Sequence, residues 1–418
     1  MRMPNAADPR PALRAESAFE GLCRRAVLGL LSHLAAGRLE VILPDGSERR
    51  FGPGGAAARL TVLDTRFFPR VAVHGDVGLG EAYQAGWFSS PDLTALIRLL
   101  LANEEALAPR YERLASLGRA VNRLAHLARA NTRRGSKANI RAHYDLSNDM
   151  FALFLDESMT YSCAYYARPE ASLAEAQAAK RRMIIEKARL APGMDVLEVG
   201  SGWGTLAVEM ARDYGVRVRS LTLSEEQLHA ARERASAARV ADRVSFELLD
   251  YRDVRGRYDR VVSVEMVEAV GHEHLPGFFG ALEGLLAKDG LVVLQAITMP
   301  DHRYEAYRRG SDWIQKHIFP GAVVPSLTAL VAAATAGSRL TLEHAENIGV
   351  HYARTLREWR EAFLAAAPRL RALGFGDDFT RTWDYYFSYC EAGFADRQLG
   401  DVQLVFTRHG NRSLPGVP

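Results

Sequence analysis

No apolar run in the chain approaches the ~18 residues that a membrane-spanning helix needs. The first residues, MRMPNAADPRPALRAESAFE, lack the apolar stretch of a secretory signal, which points to a cytoplasmic protein. Only three cysteines occur in 418 residues: Cys23, Cys163 and Cys390. They stand too far apart for a zinc spacing or a disulfide framework, so no metal site is expected. Internal repeats and low-complexity tracts are missing as well. A net charge of +3 is too small to argue for a nucleic-acid partner. What is present is ordinary for a folded protein. A hydrophobic content of 48% with 25% charged residues can fill a real core. The length suggests two or three domains.

The most informative stretch is Asp195-Val-Leu-Glu-Val-Gly-Ser-Gly-Trp-Gly-Thr-Leu-Ala207. A short apolar strand, Val196 to Val199, runs into Gly200, Ser201, Gly202, Trp203 and Gly204, which open a helix. Glycines in such a turn let the backbone approach a ligand closely, and free N–H groups at the helix start can meet a carboxylate or phosphate. Dinucleotide enzymes place G-x-G-x-x-G at the same point. Here the spacing is G-x-G-x-G with Glu198 just before it. The next strand, Val216 to Leu223, ends in Thr-Leu-Ser, with no ribose-binding acid. The combination resembles an S-adenosylmethionine pocket more than a nicotinamide one.

Along the chain, residues 1–20 read as a tail and 21–108 as a small mixed unit. That unit carries a helix over Leu22–Leu34 and strands at Gly37–Leu43, Leu60–Asp64 and Arg70–His74. A further helix ends at Leu101. Residues 109–139 read as a linker helix with Leu114, Leu117, Val121, Leu124 and Ala128 at helical spacing. Between Arg110 and Arg141 stand nine Lys or Arg against one acid, Glu112. A basic amphipathic helix suits an anionic membrane surface; docking on its own domain or a dimer mate would give the same pattern. From about 140 to the end the pattern alternates: strands near 195–199, 216–221, 243–248, 259–264 and 291–297, then a last one at 402–407. This predicts a doubly wound α/β domain binding its ligand at the carboxyl ends of the strands. A polar insert, 301–321, mixes cations with aromatics.

Several further stations carry a resemblance. They are His143-Tyr-Asp-Leu-Ser-Asn148, Tyr161-Ser-Cys-Ala-Tyr165, Ala176-Gln-x-x-Lys180, Leu221-Thr-Leu-Ser-Glu-Glu-Gln227, Asp250-Tyr-Arg252, Arg260-Val-Val-Ser-Val264, Ile318-Phe-Pro320 and Glu391-Ala-Gly-Phe394. With the glycine turn, and in this order, they resemble the cyclopropane-fatty-acyl-phospholipid synthase family, whose cousins are the mycolic acid cyclopropane synthases. Gly78-Leu-Gly-Glu-Ala-Tyr83 and Gly86-Trp87 resemble the extra N-terminal domain that the mycolic acid enzymes lack. The resemblance implies a class I, Rossmann-like methyltransferase fold using S-adenosylmethionine. Tyr161 and Ser162 would close over the methionine end, Thr222 and Gln227 meet the ribose side, and Asp250 and Tyr251 meet adenine. The implied substrate is a cis double bond in a phospholipid acyl chain, met at the inner face of the membrane, with a homodimer as the possible assembly.

An alkene is a poor nucleophile, so the activated methyl must be held in line with it in a dry slot. Attack leaves a carbocation that aromatic faces can stabilise. Tyr165, Tyr166, Phe319, Tyr352, Tyr385, Tyr386 and Phe394 supply candidates. A base must then remove a proton. In the best-known bacterial members that base is a bound bicarbonate. By the resemblance, this sequence keeps Cys163, Glu268, Ile297 and Tyr352 of its ligands and departs at two histidines, here Ala269 and Gln295. It adds Glu265 where those members have a small residue. Residues three apart on a helix share a face, so Glu265 and Glu268 are expected to point together at the strand ends. We read the Glu265 carboxylate as replacing bicarbonate, with Gln295 as neutral support and no bicarbonate requirement. A capping Glu265 beside a retained bicarbonate is the alternative.

Cys390 falls where the family places a catalytic cysteine, although a cysteine beside Tyr389 and Phe387 is more often plain packing and this chemistry needs no thiolate. Arg303, Arg308, Arg309 and Lys316 are candidates for a lid that meets a headgroup phosphate, with a solvated helix as the bland counterpart. The leading expectation is methylene transfer giving a cyclopropane acyl chain. The runner-up is a methyl- or methylene-branched product, reached when the cation loses a different proton. A catalytically inactive protein that binds S-adenosylmethionine and lipid stands as the reading from another class.

Overall fold

The computed structural model describes residues 16–111, 147–411 and 414. The greater part of the expected basic linker helix, 112–139, lies outside the described residues. The chain divides into two compact units, 1–120 with 377–385, and 121–376 with 386–418.

In the first unit a sheet of order β2-β1-β3-β4 is built from β1 (Gly37–Ile42), β2 (Glu48–Gly54), β3 (Ala57–Val62) and β4 (Phe88–Ser89). β1 pairs antiparallel with β2 and parallel with β3. Helix Ala18–Leu31 opens on a capping box, in which the Ser17 side chain accepts from the Glu20 N–H and Glu20 accepts from the Ser17 N–H. The strand expected at Arg70–His74 does not form. Those residues belong to helix Phe67–Gln84, kinked at Gly75, where φ is 57°. Arg-Val-Ala-Val-His alternates like a strand, but Phe68 and Ala72 bury at helical spacing and decide the outcome.

The second unit carries seven strands in the order β10-β11-β9-β8-β5-β6-β7. They are β5 (Asp195–Val199), β6 (Arg217–Thr222), β7 (Val244–Leu248), β8 (Tyr258–Val264), β9 (Leu286–Thr298), β10 (Leu340–Asn347) and β11 (Gly400–Arg408). β5 to β9 are parallel to one another, whereas β11 runs antiparallel between β9 and β10. Apolar side chains on both sheet faces form two clusters, one on Leu197, Val261, Val292 and Leu294, the other on Val196, Val218, Val262 and Val293. Such strands read as continuous apolar runs because helices cover them on both sides. β5 and β8 are adjacent, and the chain winds away from them in opposite directions. Their carboxyl ends, Val199 and Val264, therefore flank the switch point where a doubly wound sheet opens a crevice. β10 was not expected from sequence: most of its residues are exposed or half-buried at the sheet edge.

Candidate active site

Two cavities of about 190 and 180 Å³ meet at the carboxyl ends of the strands. Tyr161, Glu265 and Ala269 line both and so frame the window between them.

The first cavity lies against the glycine turn. Eleven of the twelve cofactor candidates line it: Tyr161, Ser162, Glu198, Gly200, Ser201, Gly202, Trp203, Thr222, Gln227, Asp250 and Tyr251. Gly204 does not. A Cβ there would stand 2.8 Å from Ala231 Cβ and Phe246 Cζ, so its lack of a side chain serves helix packing. Gly202, with φ 49°, is the reverse case: a Cβ would meet no protein atom within 4 Å, leaving room at the cavity wall for a ligand. Thr222 Oγ1 donates to Gln227 Oε1 at 3.0 Å, Trp203 Nε1 donates to Asn148 Oδ1 at 2.7 Å, and Asp250 is forked to Arg252. Glu198 accepts from the Ser220 hydroxyl, and burial pushes its carboxyl up to about 8. The N–H groups of Gly200 and Ser201 donate to Leu221 O and that of Gly204 to Ser201 O, which fixes the turn; the turn and the polar far wall fit S-adenosylmethionine.

The second cavity is walled largely by apolar and aromatic side chains, among them Tyr307, Ile314, Phe319, Leu356, Tyr389 and Leu399. Of the aromatic candidates, Phe319, Tyr352, Tyr386 and Phe394 line it. Tyr165 packs on His351, Tyr166 lies under Arg354, and Tyr385 is not on its wall. Tyr161 and Tyr386 share a hydroxyl–hydroxyl bond of 2.9 Å. Cys390 is on this wall, where burial pushes its thiol far up, so it is no thiolate.

Glu265 follows the last residue of β8 with φ 47°, a left-handed backbone that is uncommon for a side chain of this size. Its N–H donates to Gln295 O at 2.8 Å. The carboxylate is held by three donors: Tyr352 Oη at 2.6 Å to Oε2, and the Cys163 N–H and Gln295 Nε2, each at 2.8 Å to Oε1. Burial raises its pKa, opposed by these bonds and by Lys180. Glu268 sits in a short 3-10 turn, Val267–Ala269, and accepts from the Ile297 N–H at 2.5 Å. The two glutamates therefore do not share a helix face. A strand end and a separate turn bring them together, because the left-handed residue breaks any helix before it starts.

Glu268 Oε2 is buried without a partner, and burial followed by repulsion from Glu265 pushes Glu268 up to about 8. Folded Glu268 keeps its proton between 4.5 and about 8, where the unfolded chain has lost it. That contribution to stability is complete below 4.5 and is lost as pH rises through about 8. The melting temperature of the protein is expected to fall from pH 5 to pH 8, and Glu268→Gln should flatten that slope. An equally steep slope in the variant would contradict a protonated Glu268.

Lys180, the last residue of the Ala176-Gln-x-x-Lys180 motif, shows no role in the sequence alone. It is buried, donates to Ser162 Oγ at 2.6 Å, and is pushed down to about 8 by burial. Asp401, on β11 opposite Ile297, was missed altogether; its Oδ2 accepts from Gln295 Nε2 at 2.8 Å. The four insert cations line neither cavity. Arg308 and Arg309 bond Glu305, Arg303 bonds Gln398, and the insert instead offers Tyr307, Ile314 and Phe319 to the second cavity. An amphipathic insert turns its apolar side inward and its charges to water.

The family model for mycolic acid cyclopropane synthetase matches residues 131–404. The chain belongs to this family. It is 40% identical over 409 residues to tuberculostearic acid methyltransferase UfaA1 of Mycobacterium tuberculosis, spanning 96% of this chain and 94% of that one. Against the cyclopropane-fatty-acyl-phospholipid synthase of Escherichia coli K12 it is 36% identical over 358 residues, 85% of this chain and 89% of the other. Among solved structures, the cyclopropane synthase MmaA2 from Mycobacterium tuberculosis superposes with a TM-score of 0.61 at 29% identity, over 65% of this chain and 97% of that one. CmaA1 complexed with SAH and CTAB gives 0.60 at 31%, with the same coverage. The fold is that of class I methyltransferases, and the protein is an S-adenosylmethionine-dependent methyltransferase acting on fatty acyl chains.

Proposed function

We propose that the protein transfers a one-carbon unit to the cis double bond of a phospholipid acyl chain, with the Glu265 carboxylate as its built-in base. The observation that carries this reading is the place of Glu265 in the window between a glycine-turn cavity and an apolar one. Bound in the first cavity, S-adenosylmethionine supplies an electrophilic methyl group. The chain supplies everything else. The second cavity keeps water from the acyl chain, and Tyr161, Tyr352, Tyr386 and Phe394 offer π-faces to the cation left on the neighbouring carbon. Glu265, at the window, takes a proton from the transferred carbon. Its raised pKa brings it toward the range in which a general base works near neutral pH.

Loss of that proton while the cation is on the adjacent carbon sends the C–H electron pair into a new C–C bond, closing a cyclopropane. If a hydride first shifts from the methylated carbon to its former alkene partner, the same pair forms a C=CH₂ double bond and the product is methylene-branched. The branched outcome is the second reading, favoured by the 40% identity to UfaA1 along nearly the whole chain. Lipid mass spectrometry of a host lacking its own synthase tests both. Acyl chains one CH₂ heavier with ring fragmentation support the cyclopropane, and terminal-methylene fragmentation supports the branch. Unaltered acyl chains would sink the proposal.

The membrane part of the proposal rests on the basic stretch 110–141. Charge reversal at Arg119, Arg123, Arg129 and Arg133, which lie outside the described residues, is expected to weaken binding to anionic vesicles. Binding by the unaltered protein should fall as salt rises. Vesicle sedimentation unaffected by either change would contradict a lipid-facing role for that stretch.

A further inference from the structure

Resting on the base reading of Glu265, we infer that Asp401 is a positioning residue that shares a single proton with Glu265 and donates it as a hydrogen bond to the reactive carboxylate. Asp401 is fully buried. Its Oδ2 and the Oε1 of Glu265 accept from the same nitrogen, Gln295 Nε2, each at 2.8 Å. The amide cannot be turned the other way. Gln295 Oε1 accepts from Gln403 Nε2 at 3.1 Å, and Gln403 Oε1 accepts from Lys187 Nζ at 2.7 Å. An ammonium only donates, so the whole chain has one polarity and ends with a donor between two acids.

Two ionised carboxyl groups converging on one nitrogen in a dry interior repel strongly, so one keeps its proton. The donors decide which. Glu265 has Tyr352, Cys163 N–H and Gln295, whereas Asp401 Oδ1 is buried with no partner. An ionised Oδ1 would be a poorly satisfied acceptor, with only the weak thiol donor of Cys163 near the carboxyl; a protonated Asp401 is a donor within hydrogen-bond reach of Glu265. Burial first, then Glu265 and Glu268, push the Asp401 pKa well up, and Lys180 opposes them. The Cys163 thiol is also within its reach. When Glu265 takes the substrate's proton the pair becomes neutral, and one proton must return to solvent before the next turnover. At high pH the shared proton is lost and the pair becomes a dianion without its internal donor.

Asp401→Leu removes the donor, and kcat is expected to fall by about tenfold or more, the worth of a hydrogen bond to a charged group. Affinity for S-adenosylmethionine should be unchanged, which reports an intact fold. Asp401→Asn places an amide N–H where the shared proton sits. It should recover most of the turnover lost in the leucine variant while the alkaline limb of the kcat–pH profile moves up or disappears. In the infrared spectrum of the unaltered protein minus that of Asp401→Asn at neutral pH, one protonated-carboxyl C=O stretch should remain, over and above those that Glu198 and Glu268 give in both, and Glu268→Gln should retain it. Absence of that band means an ionised Asp401 and overturns the inference, as does an asparagine variant no more active than the leucine one. If Glu265→Gln turns over normally, the base reading itself has failed. If Glu265→Gln is inactive and Asp401→Asn keeps the original alkaline limb, only the shared proton has failed.

Discussion

Replacing Glu265 by glutamine is expected to lower turnover by on the order of 10²–10⁴-fold, the usual contribution of a general base. Affinity for S-adenosylmethionine should stay close to that of the unaltered protein. The glutamine carbonyl can still accept from the Cys163 N–H and Gln295 Nε2 while its amide N–H donates to Tyr352 Oη, so the surroundings keep their shape while the basic oxygen is gone. Glycine at the same position does something different. The backbone at 265 has φ 47°, which glycine adopts without strain, so the fold should tolerate Glu265→Gly. It leaves Tyr352 Oη, the Cys163 N–H and Gln295 Nε2 facing a vacated space suited to a small anion. Bicarbonate should then restore part of the activity, saturably. Near-normal turnover in Glu265→Gln would place the base elsewhere.

Gly202→Val is expected to abolish S-adenosylmethionine binding in calorimetry, with circular dichroism close to that of the unaltered protein. The position is at the cavity wall and has open space around it, so an added side chain meets the ligand before it meets the protein, although the φ of 49° strains valine and costs some stability. The same change at Gly204 should lower the melting temperature further, because there the added atoms also run into Ala231 and Phe246. Unchanged affinity in Gly202→Val would mean that the cofactor lies away from the turn.

The parallel strands of the second unit were legible because burial on both faces leaves short apolar runs between helices. β10 was not, since Thr341-Leu-Glu-His-Ala-Glu-Asn347 pairs by its backbone at an edge and shows no alternation. The helix Phe67–Gln84 was misread because a five-residue alternation outweighed a longer helical pattern. At the site, motif order gave the cavity-lining residues, and the departures at Ala269 and Gln295 directed attention to Glu265. How Glu265 reaches the window was not legible, because a left-handed residue at a strand end has no sequence signal when it is not glycine. Asp401 did leave a trace. Asp401-Val-Gln403 puts two polar residues, two apart, on one face of an otherwise apolar strand. Their partners, Ile297 and Gln295, are far away in sequence and are fixed only by the antiparallel register.

The measurement that bears most directly on Glu265 as a built-in base is turnover of the unaltered protein in buffer stripped of bicarbonate and carbon dioxide. The assay uses phospholipid vesicles with cis-unsaturated acyl chains and saturating S-adenosylmethionine. With a carboxylate held at the window by Tyr352, Cys163 and Gln295, the rate should equal that with bicarbonate added back. A rate that collapses on depletion and returns with bicarbonate would contradict the account, because the proton would then be leaving to a bound anion and not to Glu265.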